Sequence, residues 1–178
     1  TYFVDIDISM KELMDKLNKE YKKFWTEKRL NKAKEVGLTP VQAVTLASIV
    51  YWETKMPSDI PIVAGVYMNR IKVGMPLQAD PTLIFALGDF TIKRVLSKDK
   101  LVDSPYNTYK NKGLPPGPIL TPPAEFVDAV LNYQKHDYFY FVAKEDLSGY
   151  SYFAKTYEEH RVYAKRYQKR LNEMNVHR

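Results

Sequence analysis

The sequence contains no cysteine, which excludes a disulfide framework, a thiolate metal site and a cysteine nucleophile. Histidine is nearly as scarce. His136, His160 and His177 are the only three, and none pairs with another at His-x-x-x-His spacing, so a structural zinc site is not expected. No apolar run approaches the roughly 20 residues that cross a bilayer, and no signal peptide opens the chain. The opening Thr1-Tyr2-Phe3-Val4 reads as the interior of a longer protein. Glycines are few and never gather into a phosphate-cradling loop, and there is neither an internal repeat nor a heptad run. No metal or cofactor is expected.

What is present starts with size and charge. At 178 residues the chain suits one domain with a core that needs no staples. A net charge of +6, with Lys and Arg dense near both ends, suits an anionic polymer such as nucleic acid or cell wall. The 14 tyrosines stack on sugars and on bases alike, so composition leaves both classes open.

Residues 38–57 carry the strongest local signals. Thr39 is placed to cap a helix, Pro40 takes its first position and Gln42 stands where a capping-box partner belongs. Pro57 ends it. Ala43, Leu46, Ala47, Ile49 and Val50 form an apolar stripe, and Glu53 projects between Ile49 and Val50, above Leu46. A carboxyl bordering that face, in the last turn where the helix dipole is negative, has its pKa raised. A proton kept near neutrality is what a general acid requires. A glutamate snorkelling to water from the edge of the stripe is the plainer alternative.

Elsewhere the pattern predicts α+β architecture, mostly helices around a small antiparallel sheet. Residues 2–6 alternate like a short strand, and Ser9 with Glu12 forms a capping box ahead of a helix carrying Met10, Leu13, Met14, Leu17, Tyr21 and Phe24 on one face. A helix capped by Ser58 or Asp59 carries Ile62, Val63, Val66, Tyr67 and Ile71 to Gly74. Asp80 before Pro81 reads as the N-cap of a short helix, and another short helix is expected near Ile92–Leu96. Residues 104–123, with six prolines and two glycines, read as a long functional loop, after which Thr121 and Pro122 cap a helix. Tyr138–Ala143 and Tyr150–Ala154 read as a hairpin, followed by a Thr156/Glu159 capping box and a basic helix to about Asn172.

Several runs together resemble a known family. They are Ala47-Ser48-Ile49-Val50 with Glu53-Thr54, Val63-Ala64-Gly65-Val66 with Asn69-Arg70, and Gly74-Met75-Pro76-Leu77-Gln78-Ala79-Asp80-Pro81-Thr82. Tyr106-Asn107-Thr108-Tyr109, Gly113-Leu114-Pro115-Pro116-Gly117-Pro118-Ile119 and Tyr140-Phe141-Val142-Ala143 follow, then Phe153, Thr156 and Glu159-His160. In this order they resemble the catalytic domain of the YceG-like endolytic lytic transglycosylases of bacterial peptidoglycan, the MltG family. The likeness spans roughly 38–165, with 1–37 as a lead-in and 166–178 as the end of the last helix of a single domain.

The resemblance implies that Glu53 is the catalytic acid, and that Thr54, Gln78, Asp80, Thr82, Tyr106, Asn107 and Tyr109 serve the substrate. It implies non-hydrolytic cleavage of the MurNAc–GlcNAc bond to leave 1,6-anhydro ends. Glycan strands would be the substrate, peptidoglycan synthases candidate partners, and nucleic acid no partner. A membrane-anchored parent in the cell envelope is implied too, since the family usually carries a transmembrane helix and a LysM-like domain ahead of this region, neither of which the sequence shows. One departure stands out. Where the family often has Glu-Lys-Glu-Thr, this chain has Tyr51-Trp52-Glu53-Thr54, so only the second glutamate remains. Two alternatives stay open: a glycan-binding module without turnover, and a lysozyme-like hydrolase with Asp80 as second carboxylate. For Gln78, Tyr106, Asn107 and Tyr109, packing of the loop competes with sugar contact, and Thr54 either orients Glu53 or finishes its helix.

Overall fold

Helix α3, Pro40–Glu53, is the buried centre against which α2, α4, α5 and α6 pack. The computed structural model describes residues 3–176. Thr39 and Gln42 form the expected capping box and Pro40 opens the helix. The apolar stripe proves wider than its spacing suggests, because Thr45 and Ser48 are buried along with Ala43, Leu46, Ala47, Ile49 and Val50. Both hydroxyls are satisfied within the helix: Thr45 donates to Val41 O (2.8 Å) and Ser48 to Thr45 O (2.7 Å).

Around it stand α1 (Met10–Phe24), α2 (Glu27–Glu35), α4 (Ile60–Lys72), α5 (Asp80–Leu87) and α6 (Ala124–Leu131). β1 (Tyr140–Ala143) and β2 (Ser151–Ala154) then form a two-stranded antiparallel sheet, registered Phe141 to Phe153, and α7 (Tyr157–Glu173) packs on both strands. The fold is thus α+β and mostly helical. A bidentate ion pair ties α2 to α6: Arg29 Nε and Nη2 reach the two oxygens of Asp128 at 2.7 and 2.8 Å. Gly65 lets α4 pass close to the segment before β1. A Cβ there would stand 2.4 Å from Gln134 O and 2.5 Å from His136 Nε2.

Several local expectations are corrected. Phe3–Ile6 form no strand; Tyr2 lies outside the described residues. The Ile92–Leu96 segment is irregular, and one 3-10 turn follows instead at Asp99–Leu101, with the Leu96 N–H bound by the Asp99 carboxylate at 2.8 Å. Neither Asp59 nor Thr121 caps a helix: Asp59 accepts from Ser151 N (2.8 Å), and α6 starts from Pro123 without a side-chain cap. Asp80 is the first residue of α5 rather than its cap, since Ala79 precedes the helix and Pro81 takes the second position. The first helix breaks at Trp25 and Thr26, and α1 buries no residue at all, leaving Met10, Met14 and Tyr21 exposed.

Candidate active site

Glu53 is the last residue of α3, and its Oε1 accepts a hydrogen bond from the Tyr67 hydroxyl at 2.7 Å. Tyr67 comes from the middle of α4, is 1% exposed, and is walled by Phe141 of β1 at 5.7 Å in an edge-to-face contact. Burial pushes the Glu53 carboxyl up from 4.5 to about 7; the Tyr67 bond pulls it down, the charge of Asp80 raises it and Arg70 lowers it. The expected consequence of the sequence is present, though burial and Asp80 provide it. Burial and the neighbouring Glu53 also raise the Tyr67 phenol well above its ordinary value, so the hydroxyl stays a donor.

Arg70, one turn beyond Tyr67, is 6% exposed. Its Nε donates to Phe139 O (2.7 Å) and its Nη1 to Leu77 O (2.6 Å), and its guanidinium lies 5.3 Å from the Tyr140 ring. It therefore fastens both the approach to β1 and the segment before α5 to α4. Asn69 adds bonds to His136 O (2.8 Å) and Tyr138 O (3.0 Å). The loop before α5 is thereby held where Gln78 adopts φ 50°, a left-handed conformation unfavourable to a side-chain-bearing residue. Its N–H donates to Thr108 O (3.0 Å) while the residue is exposed.

Asp80 does not point along its own helix. Its Oδ1 accepts from the Tyr109 hydroxyl at 2.5 Å, and burial raises its pKa, an effect this bond and Lys100 oppose. Glu53 and Asp80 are each held by a tyrosine hydroxyl, at positions close enough for one charge to act on the other. Tyr109 is raised for the same reason, burial first and then Asp80.

The remaining predicted residues divide by exposure. Thr54, 4% exposed, ends α3 and accepts from Met56 N at 3.0 Å, so it finishes the helix. Thr82 is fully buried: it donates to Ala79 O (2.8 Å), which leaves the Thr108 hydroxyl to donate to it at 2.9 Å. Asn107, also fully buried, has every hydrogen-bonding valence filled. It donates to Lys100 O and Val102 O and accepts from Tyr109 N and Lys110 N. These three support the site from behind. Tyr106 is half-buried against Phe85 (4.7 Å), with its hydroxyl near Gly117. The loop's far end is pinned to α3 where Ile119 N donates to Ser48 Oγ at 3.0 Å.

Two residues were not singled out by sequence reasoning. Tyr67 passes for an ordinary apolar position of α4, and Arg70 for a surface arginine near a helix end. The available signals are their helical spacing on the face of Val63 and Val66 and the place of Arg70 in the Asn69-Arg70 run, but nothing local aims them at Glu53. If Tyr67 sets the acidity of Glu53, Tyr67→Phe removes a bond that lowers it. The alkaline limb of a pH–rate profile is then expected to move upward from about pH 7. A limb that stays put would remove Tyr67 from that role.

A model of the YceG-like family matches residues 1–166. The endolytic murein transglycosylase of Bacillus subtilis (strain 168) is 37% identical over 171 residues, covering 96% of this chain and 46% of the relative. That of Streptococcus pneumoniae serotype 2 (strain D39) is 36% identical over 131 residues, 71% of this chain and 24% of its own. The crystal structure of a YceG-like protein from Listeria monocytogenes superposes with TM-score 0.77 at 35% identity, covering 91% of this chain and 51% of that one. The chain spans about half the length of that protein and of the Bacillus relative, and it belongs to the YceG-like family.

Proposed function

We propose that this domain is a lytic transglycosylase acting on peptidoglycan strands. Glu53 protonates the oxygen linking MurNAc to GlcNAc, then takes the proton from the MurNAc 6-hydroxyl as that oxygen attacks C1. The bond to GlcNAc breaks, a 1,6-anhydro ring forms, and no water is consumed. The observation that carries this proposal is the placement of the Glu53 carboxyl at the end of α3: Tyr67 donates to one oxygen and leaves the other for the leaving group, and burial raises its pKa to about 7, so that the protonated form is populated near neutrality. An intramolecular hydroxyl replaces the activated water of ordinary glycosidases, with the advantage of proximity. Gln78, Tyr106 and Tyr109 are the contacts proposed for the glycan, while Thr54, Thr82 and Asn107 act through the scaffold. The relatives named above are murein transglycosylases, and an extracytoplasmic site for the parent protein follows from such a substrate. Among the described residues no helix is long and apolar enough to cross a membrane, so anchoring and any synthase partner belong to the parent protein as proposals.

Asp80 favours one alternative, because its carboxyl, held by Tyr109 instead of capping α5, lies near enough for its charge to act on Glu53. As a second carboxylate it would support hydrolysis. Its tie to Tyr109 and its raised pKa suit a group that tunes its neighbour better than one that activates water. Digestion of purified peptidoglycan, with the muropeptides weighed by mass spectrometry, separates the cases. Anhydro ends from the parent protein and none from Glu53→Gln are expected. Hydrated reducing ends would establish a hydrolase, and binding without products a non-catalytic module.

A further inference from the structure

Beside Glu53, the departure at Trp52 has a structural counterpart. Trp52 packs against the core on one side and carries Phe90 on the other, with ring centroids 6.0 Å apart and planes 19° from parallel. Phe90 is 63% exposed, so the ring is covered on one face and open on the other. Its backbone is braced. Gly88 closes α5 at φ +67°, and Asp89 then accepts from both the N–H (3.1 Å) and the hydroxyl (2.5 Å) of Thr91. An exposed phenylalanine on a loose loop would fold back or wave; this one is held flat by an indole beneath and a tight turn behind.

We propose that Phe90, seated on Trp52, is a stacking platform for a sugar unit of the glycan strand, remote from the bond that breaks; this rests on the glycan reading of the Glu53 site. The C–H face of a pyranose ring matches an open aromatic face, and its hydroxyls remain at the rim in water. The position fits a strand continuous with the acid. Trp52 is the neighbour of Glu53 in sequence, and α5 runs from Asp80 beside the acid to the turn that bears Phe90. That is about 12 Å for an eight-residue helix, the order of a disaccharide's length.

The test uses Phe90→Ala and Phe90→Trp, each made in the parent protein and in the non-cleaving Glu53→Gln protein. Thermal melting of each variant first establishes that it is folded. Binding of soluble peptidoglycan glycan chains is then measured by calorimetry, and turnover by release of muropeptides. Phe90→Ala is expected to weaken binding by about ten-fold, the scale of a lost aromatic stack, and to show its loss in KM rather than in kcat. Phe90→Trp should restore both. The deficit should vanish for chains too short to reach from Glu53 to the platform. Equal binding by Phe90→Ala, or a deficit independent of chain length, would overturn the platform. Platform and chemistry fail separately. Glycan binding that depends on Phe90 in a protein making no products upholds the platform and sinks the transglycosylase. Products with no dependence on Phe90 do the reverse. No glycan binding by any of the proteins overturns both.

Discussion

Glu53→Gln is expected to lose about 10³-fold in turnover and yet to melt at a higher temperature than the parent protein at pH 8. The loss follows from removing the proposed general acid, within the 10²–10⁴ range for general acid–base catalysis. The gain follows from linkage. The unfolded glutamate ionises near 4.5 and the folded one near 7. Below pH 4.5 both states hold the proton and the residue costs nothing. Between 4.5 and 7 the unfolded state releases its proton while the folded state keeps it, so stability falls as pH rises. The full penalty, on the order of 3 kcal/mol, applies above pH 7. Glutamine mimics the neutral acid, can still accept from Tyr67, and escapes this penalty. Melting curves of both proteins at pH 4 and pH 8 check it: a gap of several degrees at pH 8 should close at pH 4. Equal melting at both pH values would mean that Glu53 is not held neutral.

Arg70→Met is expected to be the most destabilising single change near the site, at about 3–5 kcal/mol. It leaves the carbonyls of Leu77 and Phe139 without their charged donor, and Leu77 is fully buried. It also removes the charged tie from α4 to each of these two segments, leaving Asn69 and backbone bonds to hold them. Urea denaturation should show the loss in the midpoint with little change in slope. Chemistry should respond as well, because Arg70 lowers the Glu53 pKa and its removal moves the alkaline limb upward. Arg70→Lys separates the two effects. It keeps the charge and so much of the limb, but cannot make both directed bonds and so recovers less stability. A lysine variant as stable as the parent would show that charge alone holds these segments.

The parts of the fold that were legible are those set within a few residues. Thr39, Pro40 and Gln42 specify the start of α3, as Ser9 with Glu12 and Thr156 with Glu159 specify α1 and α7, because a cap closes over three positions. Asp80 was misplaced by one residue, since Pro81 is as comfortable at the second helical position as at the first. That single step turns the carboxylate from its own backbone toward Tyr109. Glu53 itself was visible as a charge in an apolar stripe, but its partner was not, because Tyr67 meets it through the packing of α4 on α3. Asn107 was ambiguous in another way. A polar side chain in a loop reads as a contact, whereas an amide with four valences can equally organise the loop from inside.

The loop that carries Tyr106 and Tyr109 is fastened at both ends, by the filled amide of Asn107 and by the bond from Ile119 N to Ser48 on the central helix. Its conformational freedom is therefore lost when the chain folds and not when a ligand arrives. A strand binding beside this loop meets a surface already ordered, so its binding should lack the large unfavourable entropy that marks a surface which orders on contact.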